Sequence, residues 1–115
     1  MSINDSTFRH ITPAEFDRLD HSAITLLDLR DPAEVAAHPV PDAINAPIDP
    51  LAQVLRSVPN DKPVVVFCTE GWWSAEVAEI LTDRGYDVAS LDGGYRAYQT
   101  FLNASEQGNR MANRS

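Results

Sequence analysis

The stretch from Val64 to Leu81 reads VVVFCTEGWWSAEVAEIL and contains the chain's one cysteine. Val64 to Phe67 form a short unbroken apolar run, the pattern of a strand buried on both faces of a parallel sheet. From Ser74 onward, Val77, Ala78 and Leu81 recur at helical spacing. Cys68 therefore stands at the turn from a strand into a helix. Gly71 lies in mid-turn, and Trp72 and Trp73 sit beside it.

The same alternation continues on both sides of this unit. Upstream, Thr12, Pro13 and Glu15 in ITPAEFDRLD form a capping-box start for a helix. TLLDLR (25–30) is another buried apolar run, and DPAEVAAH predicts a brief helix with Pro32 in its first turn. A proline-rich connection, PVPDAINAPIDP, holds one short strand around Ile44. PLAQVLRSV then places Leu51, Val54, Leu55 and Val58 on one helical face. Downstream, Gly85 stops the helix after Arg84, DVASLD is a third clear strand, GG a turn, and YRAYQTFL a last helix. Strands alternating with helices give the α/β class with a mainly parallel central sheet. The tail, NASEQGNRMANRS, has little to bury and is expected to be disordered from residue 103 to 115.

Composition narrows the possible partners. The 115 residues form one domain around one core. Seventeen acidic against nine basic side chains leave a formal charge of −8. Such a surface repels nucleic acid and anionic lipid. No apolar stretch approaches the length of a membrane span, and because MSINDSTFRH has neither the basic nor the apolar segment of a signal peptide, no secretory signal is expected. A single cysteine excludes an internal disulfide and a dithiol metal site, and a cytoplasmic setting is expected.

Buried cysteine is often structural. At the carboxyl end of a strand in an open α/β sheet, however, it occupies the place where ligands bind. The amides and positive dipole end of the following helix favour a thiolate, the reactive form, and would hold an anion built on that sulfur. On the chemistry of the residues alone, a structural and a nucleophilic Cys68 both remain open.

Four ordered motifs resemble the single-domain rhodanese family of thiosulfate sulfurtransferases. They are LLDLRDPAEVAAH, VPDAINAPI, the Cys68 strand, loop and helix, and the closing LDGGYRAY. The similarity spans residues 8–102 and implies a rhodanese-like domain with a five-stranded, mainly parallel sheet flanked by helices. It also implies a sulfurtransferase that carries sulfane sulfur as a persulfide on Cys68, with no metal or organic cofactor. The donor would be thiosulfate, an organic persulfide or a protein. The acceptor would be cyanide, a small thiol or a protein. By the same resemblance Thr69, Glu70, Gly71, Trp72, Trp73 and Ser74 form the substrate-binding loop, and Asp28 and Arg30 brace it.

This chain departs from the family pattern in its loop. The family loop often reads Cys-x-x-Gly-x-Arg-Ser, but Trp73 stands in the arginine's place and Glu70 adds a negative charge. No side-chain cation is expected near the site. That arrangement weakens thiosulfate binding and suits a protein donor or acceptor. One tryptophan is expected to pack onto the sheet rim, and an exposed one would offer an apolar shelf. A phosphatase of Cys-x5-Arg type would need arginine where Ser74 stands. The alternative reading is a rhodanese-like module kept for protein binding without catalysis. His38, displaced by one position from the family histidine, is expected to pack at the surface, and His10 and His21 belong to no constellation.

Overall fold

The computed structural model describes residues 8–113, with side chains as far as Ala104. Five strands form one sheet: β1 (Arg9–Ile11), β2 (Thr25–Asp28), β3 (Ile44–Asn45), β4 (Val64–Phe67) and β5 (Val88–Leu91). Their order is β1-β5-β4-β2-β3, and every neighbouring pair is parallel. The helices are α1 (Pro13–Asp17), α2 (Pro32–Ala37), α3 (Leu51–Ser57), α4 (Trp72–Asp83) and α5 (Gly94–Asn113), with a 3₁₀ turn at His21–Ala23. The expected α/β class and five-stranded parallel sheet are both present.

Strand periodicity divides the core into two layers. Leu27, Leu29, Val64, Val66, Cys68 and Val88 face α3 and α4, where Val54, Val77, Ala78 and Leu81 meet them. Leu26, Val65, Phe67, Ala89 and Leu91 face the other way, towards Phe16 of α1 and Tyr95 and Tyr98 of α5. Cys68 follows the parity of Val64 and Val66, so its side chain lies on the α4 side. The capping box at Thr12 forms as read: Thr12 Oγ1 accepts from the Glu15 amide at 3.1 Å, and Glu15 Oε1 accepts from the Thr12 amide at 2.8 Å.

The structure adds three features that the sequence did not announce. Strand β1 is an edge strand with Arg9 and His10 in solvent, so it carries no apolar run to read. Helix α4 begins at Trp72 rather than Ser74, because Gly71 in the left-handed conformation (φ +92°) caps it. The segment from 103, expected to lack order, continues α5 as far as Asn113, while 114 and 115 lie outside the described residues.

Asp28 and Arg30 project to the same face two residues apart, and both are out of water, at 1% and 2% exposure. Arg30 Nε donates to Asp28 Oδ1 at 3.0 Å and Nη2 to Oδ2 at 2.8 Å, a bidentate pair. Arg30 Nη2 also reaches the His38 carbonyl at 2.8 Å. Removing one partner strands a charge in the core. Asp28→Ala should therefore cost about 3–5 kcal/mol of stability, whereas Asp28→Leu combined with Arg30→Met should recover most of the loss. Denaturant midpoints for the two variants check this.

Candidate functional site

Cys68 is the first residue past β4, at 5% exposure, and its sulfur lies on the floor of a pocket of about 320 Å³. The Gly71 amide donates to Cys68 Sγ at 3.0 Å. Immediately beyond, the first amides of α4 have no partner within the helix, and the positive end of its dipole faces the loop. The sulfur thus sits where backbone donors would stabilise a negative charge built on it.

The loop is held from the side by α5. The Tyr95 amide donates to the Cys68 carbonyl at 2.8 Å, and the Arg96 amide to the Thr69 carbonyl at 3.0 Å. In a planar trans peptide the N–H points opposite to the C=O, so these bonds turn the Thr69 and Glu70 amides away from α5. The approach is very close. A Cβ on Gly94 (φ +68°) would lie 2.5 Å from the Thr69 carbonyl oxygen and 2.6 Å from that of Cys68. Gly94, the second glycine of the last motif, is therefore needed for the close approach to the loop as well as for the turn.

Each residue assigned to the loop from the sequence has a definite position. Cys68, Thr69, Glu70, Trp72 and Trp73 all line the pocket. Gly71 caps α4 and supplies the amide to the sulfur. Ser74 is buried instead: its hydroxyl donates to the Gly71 carbonyl at 3.3 Å and pairs with Ser90 Oγ at 3.0 Å, tying α4 to β5. Neither tryptophan packs on the sheet rim. Trp72 is 74% exposed and Trp73 57%, because the first turn of α4 projects beyond the sheet. Asp28 spends both carboxylate oxygens on Arg30, and it is Arg30 that reaches the His38 carbonyl just past α2. Arg30 acts one step nearer, since its guanidinium lies 4.2 Å from the Tyr95 ring centre and 5.5 Å from that of Phe67.

Three participants went unrecognised in the sequence. Glu34 of α2 lines the pocket and accepts the Thr69 hydroxyl at 2.7 Å. Asp31 adds a second carboxylate to the same wall. Arg96 pairs with Glu70 at 2.6 Å, which corrects the expectation of no nearby cation. Both of those side chains are largely in water, so the pair is screened and weak. The one available signal for Arg96 was its place just after the double glycine. His38 behaves as expected, with its ring exposed near Tyr95 and Gln99. Among the described residues, no group of three or more His, Cys, Asp or Glu could hold a metal ion. No helix among them is long and apolar enough to cross a membrane.

Residues 12–101 match the family model of the rhodanese-like domain. The chain is 33% identical over 94 residues to thiosulfate sulfurtransferase GlpE of Pseudomonas syringae pv. syringae, covering 81% of this chain and 89% of that one. Its fold is similar to that of a rhodanese-related protein from Thermoplasma volcanium (TM-score 0.73, 29% identity, 81% and 92% covered). It is also similar to part of reduced CoADR-RHD from Bacillus anthracis (TM-score 0.75, 32% identity), covering 84% of this chain but 17% of that longer one.

Gly94 and Gly85 provide a matched pair for testing the loop support. Both have positive φ, but a Cβ on Gly85 would meet nothing within 4 Å. Gly85→Ala should cost only the left-handed strain, about 1–2 kcal/mol. Gly94→Ala should cost about 1–3 kcal/mol more from overpacking against the loop. Chemical denaturation of the two variants measures the difference.

Proposed function

The chain belongs to the rhodanese-like domain family and is a sulfurtransferase, and from that premise we propose that Cys68 carries the transferred sulfur as a persulfide. The Cys68 thiolate attacks the outer sulfur of thiosulfate, the S–S bond of the donor breaks, and sulfite leaves with the electron pair. The product, Cys68–S–S⁻, bears its charge beside the loop amides. A thiol acceptor then attacks the outer sulfur, takes it as its own persulfide and returns Cys68 to the thiolate. Cyanide would leave as thiocyanate by the same displacement. Sulfur changes hands without any external oxidant or reductant.

The observation that carries this reading is the position of Cys68 Sγ, on a pocket floor before the α4 N-terminus with the Gly71 amide 3.0 Å away. A thiol kept only for packing would need neither the opening nor the donor. The loop role of Thr69, Glu70, Trp72 and Trp73 rests on their lining the same pocket. Gly71 and Ser74 shape the turn from beneath, and Asp28 and Arg30 support it through Tyr95.

The mouth favours a protein or organic donor over free thiosulfate. Asp31, Glu34 and Glu70 line it, while the one cation in its wall, Arg30, is buried against Asp28. A dianion entering there meets carboxylates before it meets the amides.

Intact mass before and after thiosulfate tests the persulfide directly. The parent protein should gain one sulfur that cyanide removes, and Cys68→Ser should gain none. A parent that takes up no sulfur from thiosulfate or from an organic persulfide would identify a non-catalytic binding module. Trp73→Arg places a guanidinium at the mouth and should raise kcat/KM for thiosulfate roughly tenfold, equivalent to about 1.4 kcal/mol. The change should appear chiefly in KM, because the charge contacts bound donor and transition state alike. Steady-state kinetics with thiosulfate as donor measures it.

A further inference from the structure

An apolar groove of about 330 Å³ lies beside the sulfur pocket, formed by Ile48, Leu51, Val77 and Ile80 next to Trp73. Ile48 and Trp73 line both cavities, so the groove is continuous with the mouth above Cys68. Trp72, Trp73 and Leu51 are the large apolar side chains left exposed among the described residues. Their contiguity beside a reactive sulfur marks an interaction surface rather than scattered surface hydrophobics.

The charged residues that line the groove are both acidic, Asp49 and Glu76. Between Arg30 and Arg56, and again between Lys62 and Arg84, the sequence contains neither lysine nor arginine. Those two segments supply α2, the connection through Ile48, the active loop and α4. Asp49 and Glu76, both exposed, edge the groove. Asp31 and Glu34 stand on the pocket wall, with Glu34 shared with Thr69. At the mouth, the exposed Arg96 is paired with Glu70, and the exposed Arg56 and Arg84 lie further along α3 and past the end of α4.

We propose that this groove docks a cationic, apolar-anchored segment of a partner protein whose cysteine exchanges sulfur with Cys68. The proposal rests on the sulfurtransferase reading of the same site and names its partner class. An apolar anchor fills the groove beside Trp73. Lysines or arginines flanking it meet Asp49, Glu76 and Asp31, and the partner cysteine then lies over the mouth. A second copy of this chain would bring like charge against like charge, and an anionic lipid surface would do the same. The exposed tryptophans act as anchors, as large aromatics do at the centre of interfaces.

The chain's two tryptophans are both in this surface, so their emission reports its occupation. The probe is a short peptide with leucine and lysine flanking a serine in place of the cysteine. Serine removes sulfur chemistry, so the titration stands independently of whether a persulfide forms. A matched peptide carries glutamate for lysine. The lysine peptide should shift the emission and bind at least tenfold more tightly than the glutamate peptide, and its affinity should fall as salt rises. The Glu76→Lys, Asp49→Lys double variant should abolish or reverse the preference. Equal affinities, no emission change with either peptide, or a preference that survives the double variant would overturn the proposal. So would an emission change with protein concentration alone, which would assign the groove to a second copy. Uptake of sulfur by mass, measured on the parent protein, fails or succeeds separately from all of these.

Discussion

A carboxylate and a guanidinium, both out of water, join the parts from which the site is built. Asp28 ends β2, and Arg30 turns back over it to form two charge-assisted bonds. A buried pair of this kind adds little net stability over an apolar replacement. What it adds here is relative position. One nitrogen of Arg30 fixes the end of α2 through the His38 carbonyl, and its flat face rests on Tyr95. The amide of Tyr95 in turn holds the carbonyl of Cys68. Asn45 closes the arrangement from β3, with its side-chain amide 3.0 Å from the carbonyls of both Asp28 and Arg30. The charge pair is thus linked to the Cys68 backbone through Tyr95 without touching the sulfur.

Two electrostatic influences of opposite sign meet at the pocket, and they act over different distances. The loop amides and the first turn of α4 favour negative charge at contact, where little water intervenes. The carboxylates of Asp31, Glu34 and Glu70 act from the wall and rim, where solvent screens them within roughly 8 Å at physiological salt. An anion formed on the sulfur experiences mostly the amides. An anion arriving from solution experiences the carboxylates first. The site therefore separates stabilising a bound charge from attracting a free one.

How much of this was legible in the sequence depended on the range of the interactions. The buried strands β2, β4 and β5 read as apolar runs because both faces are covered, and the Thr12 box read correctly because its partners are local. Helix α4 was placed two residues late because its apolar stripe starts at Ser74, while its first turn faces solvent with Trp72 and Trp73. Edge strand β1 was missed because it buries too little to need an apolar pattern. The place of Cys68 after a strand was legible, but its position alone left a structural and a nucleophilic role both open, and the loop residues followed only from the resemblance. The Glu34–Thr69 and Glu70–Arg96 contacts were not legible, since each joins segments distant in the chain that only the folded sheet brings together. Ser74 looked like a loop residue and proved to be the buried link to Ser90.

The sheet order also has a consequence for a chain still being synthesised. Strand β5 lies between β1 and β4, and α5, which follows it, supplies the amides and the close-fitting Gly94 that shape the loop. A chain made only as far as α4 holds Cys68 but not the elements that fix its surroundings. Domains fold as units, and ribosomes add roughly 5–20 residues per second, so the thiol leaves the exit tunnel seconds before its cradle can assemble. The nascent protein thus passes through its most exposed stage with Cys68 outside its cradle, and the amides that surround the thiol arrive together with the completed fold.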